Sequence, residues 1–298
     1  MRNPPSIILL IPYFGQWPFW MPFFIESCRC NPDIDWLLIG DCAELDDLPD
    51  NVRQQRIGFE DYCRFVSSRL GFLFAPANPY KLCDLKPALG FIHEAEIKGY
   101  DYWGFSDLDL IYGDLRAYFT AEKLHRLKFF STHERRVSGH LCLLRNEKPL
   151  RELFWKIRDF QQRLEDQRNH ALDEGGFTRL FLWRKNFPRP LFKLVGLLNP
   201  WRRVAEFREA FSTPNSSRCW TDGTREFPSF WVWHKGVLHN AKDGQMTFPY
   251  LHFLGWKNNE WKALPRQPDE GLKALAASQC WRVDAQGFHA FGTNHSES

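Results

Sequence analysis

Short apolar runs that do not alternate with polar residues constrain this chain more than any other feature. SIILLI (residues 6–11) and WLLIGD (36–41) are unbroken, and a third run, YWGF, occupies 102–105. A strand wetted on one side alternates apolar with polar residues, whereas a strand covered on both faces does not. Segments of helical character lie between these runs. Residues 20–30 stop before Pro32, residues 59–70 carry Phe59, Tyr62, Cys63, Val66 and Leu70 on one face, and residues 87–99 open on Pro87 and close on Gly99. This alternation predicts an α/β chain with a mostly parallel, Rossmann-like central sheet flanked by helices. The second half is less regular. It reads as strands at 128–132 and 140–144, helices at 149–168 and 173–183, a short helix capped by Asp114, and later strands at 230–234 and 248–254. The length of 298 residues suits a single large domain.

Residues 7–25 are almost entirely apolar and approach the length of a membrane span, but Pro12, Pro18 and Pro22 interrupt them and only Arg2 precedes them. No export signal is visible, so the run reads as a strand, a loop and a helix. The eight cysteines include no CxxC pair, which argues against a structural zinc site and suits reduced thiols in a cytoplasm. A net charge of +3 gives no reason to expect nucleic-acid binding. The aromatic content of 16% serves core packing and also suits the handling of sugar rings.

The acidic pair in SDLD, Asp107 and Asp109, follows the run at 102–105. On an extended chain the side chains of residues two apart point the same way, so both carboxylates can reach one hard cation shared with substrate phosphates. Ligands of open α/β sheets bind beyond the carboxyl ends of the strands. The competing reading is a solvated turn with one acid capping the next helix. Other candidates follow the same logic. Pro12, Tyr13 and Phe14 form a loop after the first strand, and Asp41 ends the second, where it either holds a nucleobase or ribose or makes a turn. Asp84 and Lys86 lie just before an expected helix N-terminus, which favours anions. Gly139 allows close backbone approach. Asp173 and Glu174 precede two glycines, as a catalytic base or as a helix cap. His252 ends a late strand, as a site residue or a core histidine, with Gly255 and Lys257 beyond it.

Taken together, residues 11–15 (IPYFG), 81–87 (KLCDLKP), 106–109 (SDLD) and His252 resemble bacterial glycosyltransferases of the GT-A fold. In particular the chain is similar to an uncharacterised-domain family found among polysaccharide and lipopolysaccharide assembly enzymes. The resemblance implies a UDP-sugar donor, with UDP-galactose the first choice, and a polysaccharide or lipid-linked glycan acceptor. It divides the domain into a nucleotide-binding half (1–115) and an acceptor-binding half (116–298). It makes Asp109 a direct ligand of Mn2+ or Mg2+, Asp107 a ligand through water or a ribose partner, and His252 the third ligand; imidazole favours manganese. Lys86 and Lys257 would hold phosphate or sugar oxygens. Glycogenin-like retaining transferases end in His-x-x-Gly-x-x-Lys, and here the spacing from Gly255 to Lys257 is one residue short.

Rival readings are a nucleotidyltransferase or phosphotransferase with a carboxylate-held metal, and a non-catalytic carbohydrate-binding assembly subunit. Residues 179–208 form a helical basic insertion in which eight Lys and Arg residues face one acid, Glu206. It suits either a solvated core-covering subdomain or peripheral contact with the anionic inner face of the cytoplasmic membrane.

Overall fold

The computed structural model describes residues 4–182, 187–214 and 219–292. Its main sheet has seven strands: β1 (Ile7–Pro12), β2 (Ile34–Gly40), β3 (Val52–Arg56), β4 (Tyr102–Ser106), β6 (Phe129–Ser131), β7 (Leu141–Arg145) and β8 (Ala205–Phe207). Their spatial order is β3-β2-β1-β4-β7-β6-β8. The block from β3 to β4 is parallel, β7 runs antiparallel to both β4 and β6, and β8 is parallel to β6. The unbroken apolar pattern of β1 now has its cause. Ile8 and Leu10 enter the core on one face of the sheet, while Ile7, Leu9 and Ile11 enter the core on the other. The period-two alternation persists, but both faces are dry.

The chain winds outward from β1 through β2 to β3, then returns to the far side of β1 as β4. Strand order therefore reverses between β1 and β4, and a crevice opens past their carboxyl ends. Gly40 serves this junction: a Cβ there would lie 1.7 Å from the Tyr13 carbonyl oxygen, so the loop leaving β1 could not cross the end of β2 with any larger residue.

A short pair, β5 (Leu110–Tyr112) with β11 (Tyr250–His252), lies next to the crevice, with His252 opposite Leu110. Beyond it a four-stranded antiparallel sheet joins β9 (Phe230–His234), β10 (Val237–Asn240), β12 (Cys280–Asp284) and β13 (Gly287–Ala290) in the order β10-β9-β12-β13. Its core is aromatic. Trp233 and Trp281 stack with ring centres 4.7 Å apart, and Trp233 Nε1 donates to the Tyr112 carbonyl at 2.8 Å. This is where much of the chain's aromatic content goes.

Helix α1 (Met21–Arg29) and helix α2 (Phe59–Leu70) lie where the sequence places them. Gly71, at φ 78°, closes α2 in the left-handed conformation. Residues 7–25 fold as β1, a loop and the start of α1, and among the described residues no helix is long and apolar enough to cross a membrane.

Three expectations need correction. The helix expected at 87–99 is a 3-10 helix, Pro79–Ala88, that runs into a single α-turn, Leu89–Ile92; Lys86 and Asp84 therefore lie within the 3-10 segment and not ahead of a helix N-terminus. The helix expected at 149–168 is broken into Lys148–Arg151, a 3-10 turn Leu153–Lys156 and Phe160–Glu165, because Ile157 is extended and Asp159 adopts φ 54°. Its apolar residues Leu153, Ile157, Phe160 and Leu164 are nevertheless buried, so tertiary packing and not helical continuity satisfies the spacing. The helix expected at 173–183 is a π-turn, Leu172–Gly176, followed by Thr178–Phe181. In the basic segment, the helix Arg189–Gly196 and the 3-10 turn Pro200–Arg203 are present, while Trp183, Arg184 and Lys185 lie outside the described residues.

Candidate functional site

The acidic loop after β4 is tied down on both sides. The Asp107 amide donates to the His140 carbonyl at 3.0 Å, and Trp20 Nε1 donates to the Leu108 carbonyl at 2.9 Å. Antiparallel pairing of β5 with β11 then carries His252 to the same place, and the His252 amide donates to the Ser212 carbonyl at 2.7 Å. One ligand atom each from Asp107, Asp109 and His252 lies within 4.8 Å of the others, and among the described residues no other group of His, Cys, Asp and Glu converges in this way.

The donor set fits a divalent cation. His252 Nε2 is buried without a hydrogen-bond partner, 3.4 Å from Asp109 Oδ2. Its Nδ1 lies 3.3 Å from Thr213 Oγ1, which leaves Nε2 aimed at the acids. A buried polar atom with no partner is costly, and a cation shared with the two carboxylates would satisfy it. The His140 ring packs on the His252 ring at 4.3 Å, and His140 Nε2 lies 2.7 Å from Tyr250 Oη. Tyr250 Oη in turn donates to Thr132 Oγ1. This buried chain fixes the plane of the imidazole from behind.

Two lysines balance the acids. Lys86 Nζ donates to Asp107 Oδ1 at 2.5 Å and to the Gly139 carbonyl at 2.7 Å, and lies 3.7 Å from Asp173 Oδ2. Lys257 Nζ contacts Asp109 Oδ2 at 2.6 Å. Burial disfavours the Lys86 ammonium, but the surrounding Asp107, Cys83 and Asp173 outweigh it and raise its pKa. Burial likewise pushes the Asp109 carboxyl up, yet His252 and Lys257 together hold it well below the ordinary range. Asp109 is thus held in its anionic form although it is buried.

Asp173 behaves in the opposite way. Burial pushes its carboxyl up to about 6, against the pull of Lys86. The folded chain therefore holds this proton more tightly than the unfolded chain does. Its contribution to stability is complete below about pH 4 and is lost as pH rises through about 6. Asp173→Asn, a neutral stand-in for the protonated acid, is expected to raise the unfolding temperature at about pH 8 and leave it unchanged at about pH 4. Thermal melts at the two pH values check this. Gly139 makes room for the group, since a Cβ there would lie 2.6 Å from Asp173 Oδ2.

Asp107, Asp109, His252, both lysines and Asp173 open onto one cleft of about 540 Å³ at the β1/β4 reversal. Pro12, Tyr13, Phe14, Lys86, Asp107, Asp109, Gly139, Asp173, Glu174, His252 and Lys257 line it. Asp41 and Asp84 do not. The Asp41 carboxylate accepts the Gly15 amide at 2.7 Å and so fastens the loop that carries Pro12 to Phe14. Asp84 is fully buried, paired with Lys81 at 2.9 Å, and accepts the amides of His170 and Leu172 at 2.8 Å each. It anchors the π-turn on which Asp173 sits. Both acids hold the backbone that presents the cleft-lining residues.

The cleft also contains Cys83 and Ser106, which lie within the KLCDLKP and SDLD runs, and Trp20, Tyr80, His140 and Asn169, which the sequence did not single out. His140 had a signal, since it directly follows Gly139. Tyr80 lies in the 3-10 segment Pro79–Ala88, one residue before the KLCDLKP run, and Asn169 reaches the cleft from a loop that has no motif of its own.

The family model described as "Family of unknown function (DUF6625)" matches residues 9–263. No curated protein sequence matches the chain. Among solved structures, mouse xyloside xylosyltransferase 1 in its apo form is similar with a TM-score of 0.33 and 10% identity, over 70% of this chain and 87% of that one. The galactosyltransferase LgtC in complex with donor and acceptor sugar analogues gives 0.33 and 11%, over 63% and 82%. A glycosyltransferase involved in glycosylation of the major capsid of PBCV-1 gives 0.36 and 10%, over 74% and 87%. Likeness at this level bears on neither the reaction nor the substrate of this chain.

Proposed function

We propose that this chain, which belongs to the family of unknown function DUF6625, is a metal-dependent glycosyltransferase that moves a hexose from a UDP-sugar to a bacterial polysaccharide or glycolipid acceptor. One observation carries the reading: Asp107, Asp109 and His252 converge within 4.8 Å in a cleft that also holds Lys86 and Lys257. Acids alone would repel a diphosphate. Acids that hold a cation, with two lysines beside them, form a site for one. A divalent ion on Asp107, Asp109 and His252 would supply Lewis-acid stabilisation of the departing diphosphate, and the imidazole ligand favours manganese over magnesium.

The chain's own groups have distinct tasks. Tyr13 and Phe14, at the end of β1, flank the nucleotide side of the cleft. Lys257, whose side chain is 33% exposed, can leave Asp109 and donate to phosphate oxygens. Lys86, more deeply buried, holds Asp107 in place and keeps Asp173 from pointing elsewhere. Asp173, whose carboxyl burial pushes up to about 6, receives the proton of the acceptor hydroxyl as that oxygen bonds to the anomeric carbon and the bond from that carbon to UDP breaks. Glu174, 3.3 Å from Arg136, orients sugar hydroxyls. The motif resemblance at residues 11–15, 81–87 and 106–109 supports the GT-A assignment and the polysaccharide or glycolipid acceptor, and makes UDP-galactose the first donor to test.

A panel of nucleotide sugars titrated calorimetrically with and without Mn2+ tests the proposal. The expected result is Mn2+-dependent binding of one UDP-hexose, followed by slow release of UDP. If no nucleotide sugar binds better with the metal than without it, the proposal fails.

A further inference from the structure

Residues 187–203 have no part in the cleft. Between Glu174 and Glu206 the sequence contains no acidic residue and seven Lys or Arg residues. Within this interval, the helix Arg189–Gly196 and the turn that follows it expose Leu191, Leu194, Leu197 and Leu198, with Leu198 80% exposed. Leu191 and Leu194 are spaced as on one helical face, and Leu197 and Leu198 follow in the turn. Arg202 and Arg203 are exposed immediately after them. Isolated exposed leucines need no explanation, but a cluster rimmed by basic residues marks an interaction surface.

The segment is held firmly at its base. Asn199 Nδ2 donates to the Phe181 carbonyl, and Asn199 Oδ1 accepts the Trp201 amide. The Trp201 ring packs on Phe181 at 4.7 Å. Directly afterwards the chain joins the main sheet as β8, paired with β6. Trp201 thus takes the available core contact, and the leucines remain on the outside between two anchored points.

We infer that residues 187–203 dock this protein on an anionic lipid bilayer, with the leucines in the headgroup–acyl boundary and the arginines at lipid phosphates. Charge selects this occupant. A stretch of chain that is basic and free of acids, with Arg202 and Arg203 exposed, is attracted to an anionic surface over a Debye length. A second copy of the chain would set the same basic stretch against itself, and like charges oppose that contact. An amphipathic segment of this kind lies in the interface plane and does not cross it. The inference does not depend on the reaction proposed above.

Sedimentation of the full chain with phosphatidylcholine vesicles, with and without phosphatidylglycerol, tests it. Wild type is expected to sediment with the anionic vesicles only, and less so as salt rises. Leu194→Glu with Leu198→Glu, and separately Arg202→Glu with Arg203→Glu, should each reduce partitioning by about tenfold or more with an unchanged unfolding temperature. Leu198→Ser serves the same purpose if the glutamate pair unfolds the chain. Failure of wild type to sediment with anionic vesicles would overturn the inference. So would leucine variants that bind vesicles like wild type but turn a dimer into a monomer in ultracentrifugation, since that assigns the leucines to a second copy.

Discussion

Asp109→Asn is expected to lower Mn2+ affinity by more than about a hundredfold, because loss of a group that merely orients a ligand already costs 10- to 100-fold in comparable sites. The substitution keeps the volume and removes the charge. Asp109 is 5% exposed and is the anion that both His252 and Lys257 face. With Asn in its place, the buried Nε2 of His252 has only Asp107 with which to share a cation. Lys257 loses its partner but can extend into solvent, so the chain stays folded. Calorimetric titration with Mn2+ reads the affinity, and near-ultraviolet circular dichroism reads the fold. An affinity within a few-fold of wild type in a folded variant would remove Asp109 from the metal site, and the proposed chemistry would go with it.

Lys86→Met should cost about 3 kcal/mol of stability, the lower end of the cost of breaking a buried ion pair from one side. Lys86 Nζ lies between Asp107 and Asp173, and Asp173 is itself buried. Removing the ammonium leaves two carboxylates facing each other and the Gly139 carbonyl without its donor. Asp107 is one-third exposed, so water softens its share, which is why the lower end applies. Adding Asp173→Asn removes one of the stranded charges and should recover part of the loss. Urea unfolding of the single and double variants measures both quantities. A loss below about 1 kcal/mol for Lys86→Met, the range of a surface pair, would mean that the lysine is a solvated charge and not a strut.

The order of strands and helices in the first half was legible because β1, β2 and β4 are buried on both faces, and the alternation of short apolar runs with helical spacing expresses that burial directly. β3 escaped notice for the opposite reason. VRQQR is a polar edge strand, and its pairing to β2 uses backbone groups that leave no trace in side-chain pattern. The antiparallel sheet of β9, β10, β12 and β13 was visible only at β9, because its members are four or five residues long and the two-residue spacing of Trp231 with Trp233, and of Trp281 with Val283, is too brief to stand out. Helical spacing at 149–168 was real, yet it recorded burial and not helix, and Asp159 breaks the run with a left-handed residue.

The site shows the same division. The sequence alone placed Asp107 and Asp109 together at the end of a buried strand, from the apolar run before them; the chain there is bent at Leu108 and Asp109, not extended, so it is the fold that brings the two carboxylates together. The sequence also showed that residues 179–208 hold eight basic residues against the single acid Glu206. Only the tertiary structure decided that His252, paired across β11 and β5, meets Asp109 from far along the chain. It likewise decided that Lys86 sits between two acids and not at a helix end, and that Asp84 and Asp41 brace backbone while Asp173 reaches the cleft. Local pattern reports which way a side chain faces and whether its surroundings are dry. Which groups then meet depends on strand register and on loop anchors between residues far apart in sequence, and those are fixed only when the whole chain packs.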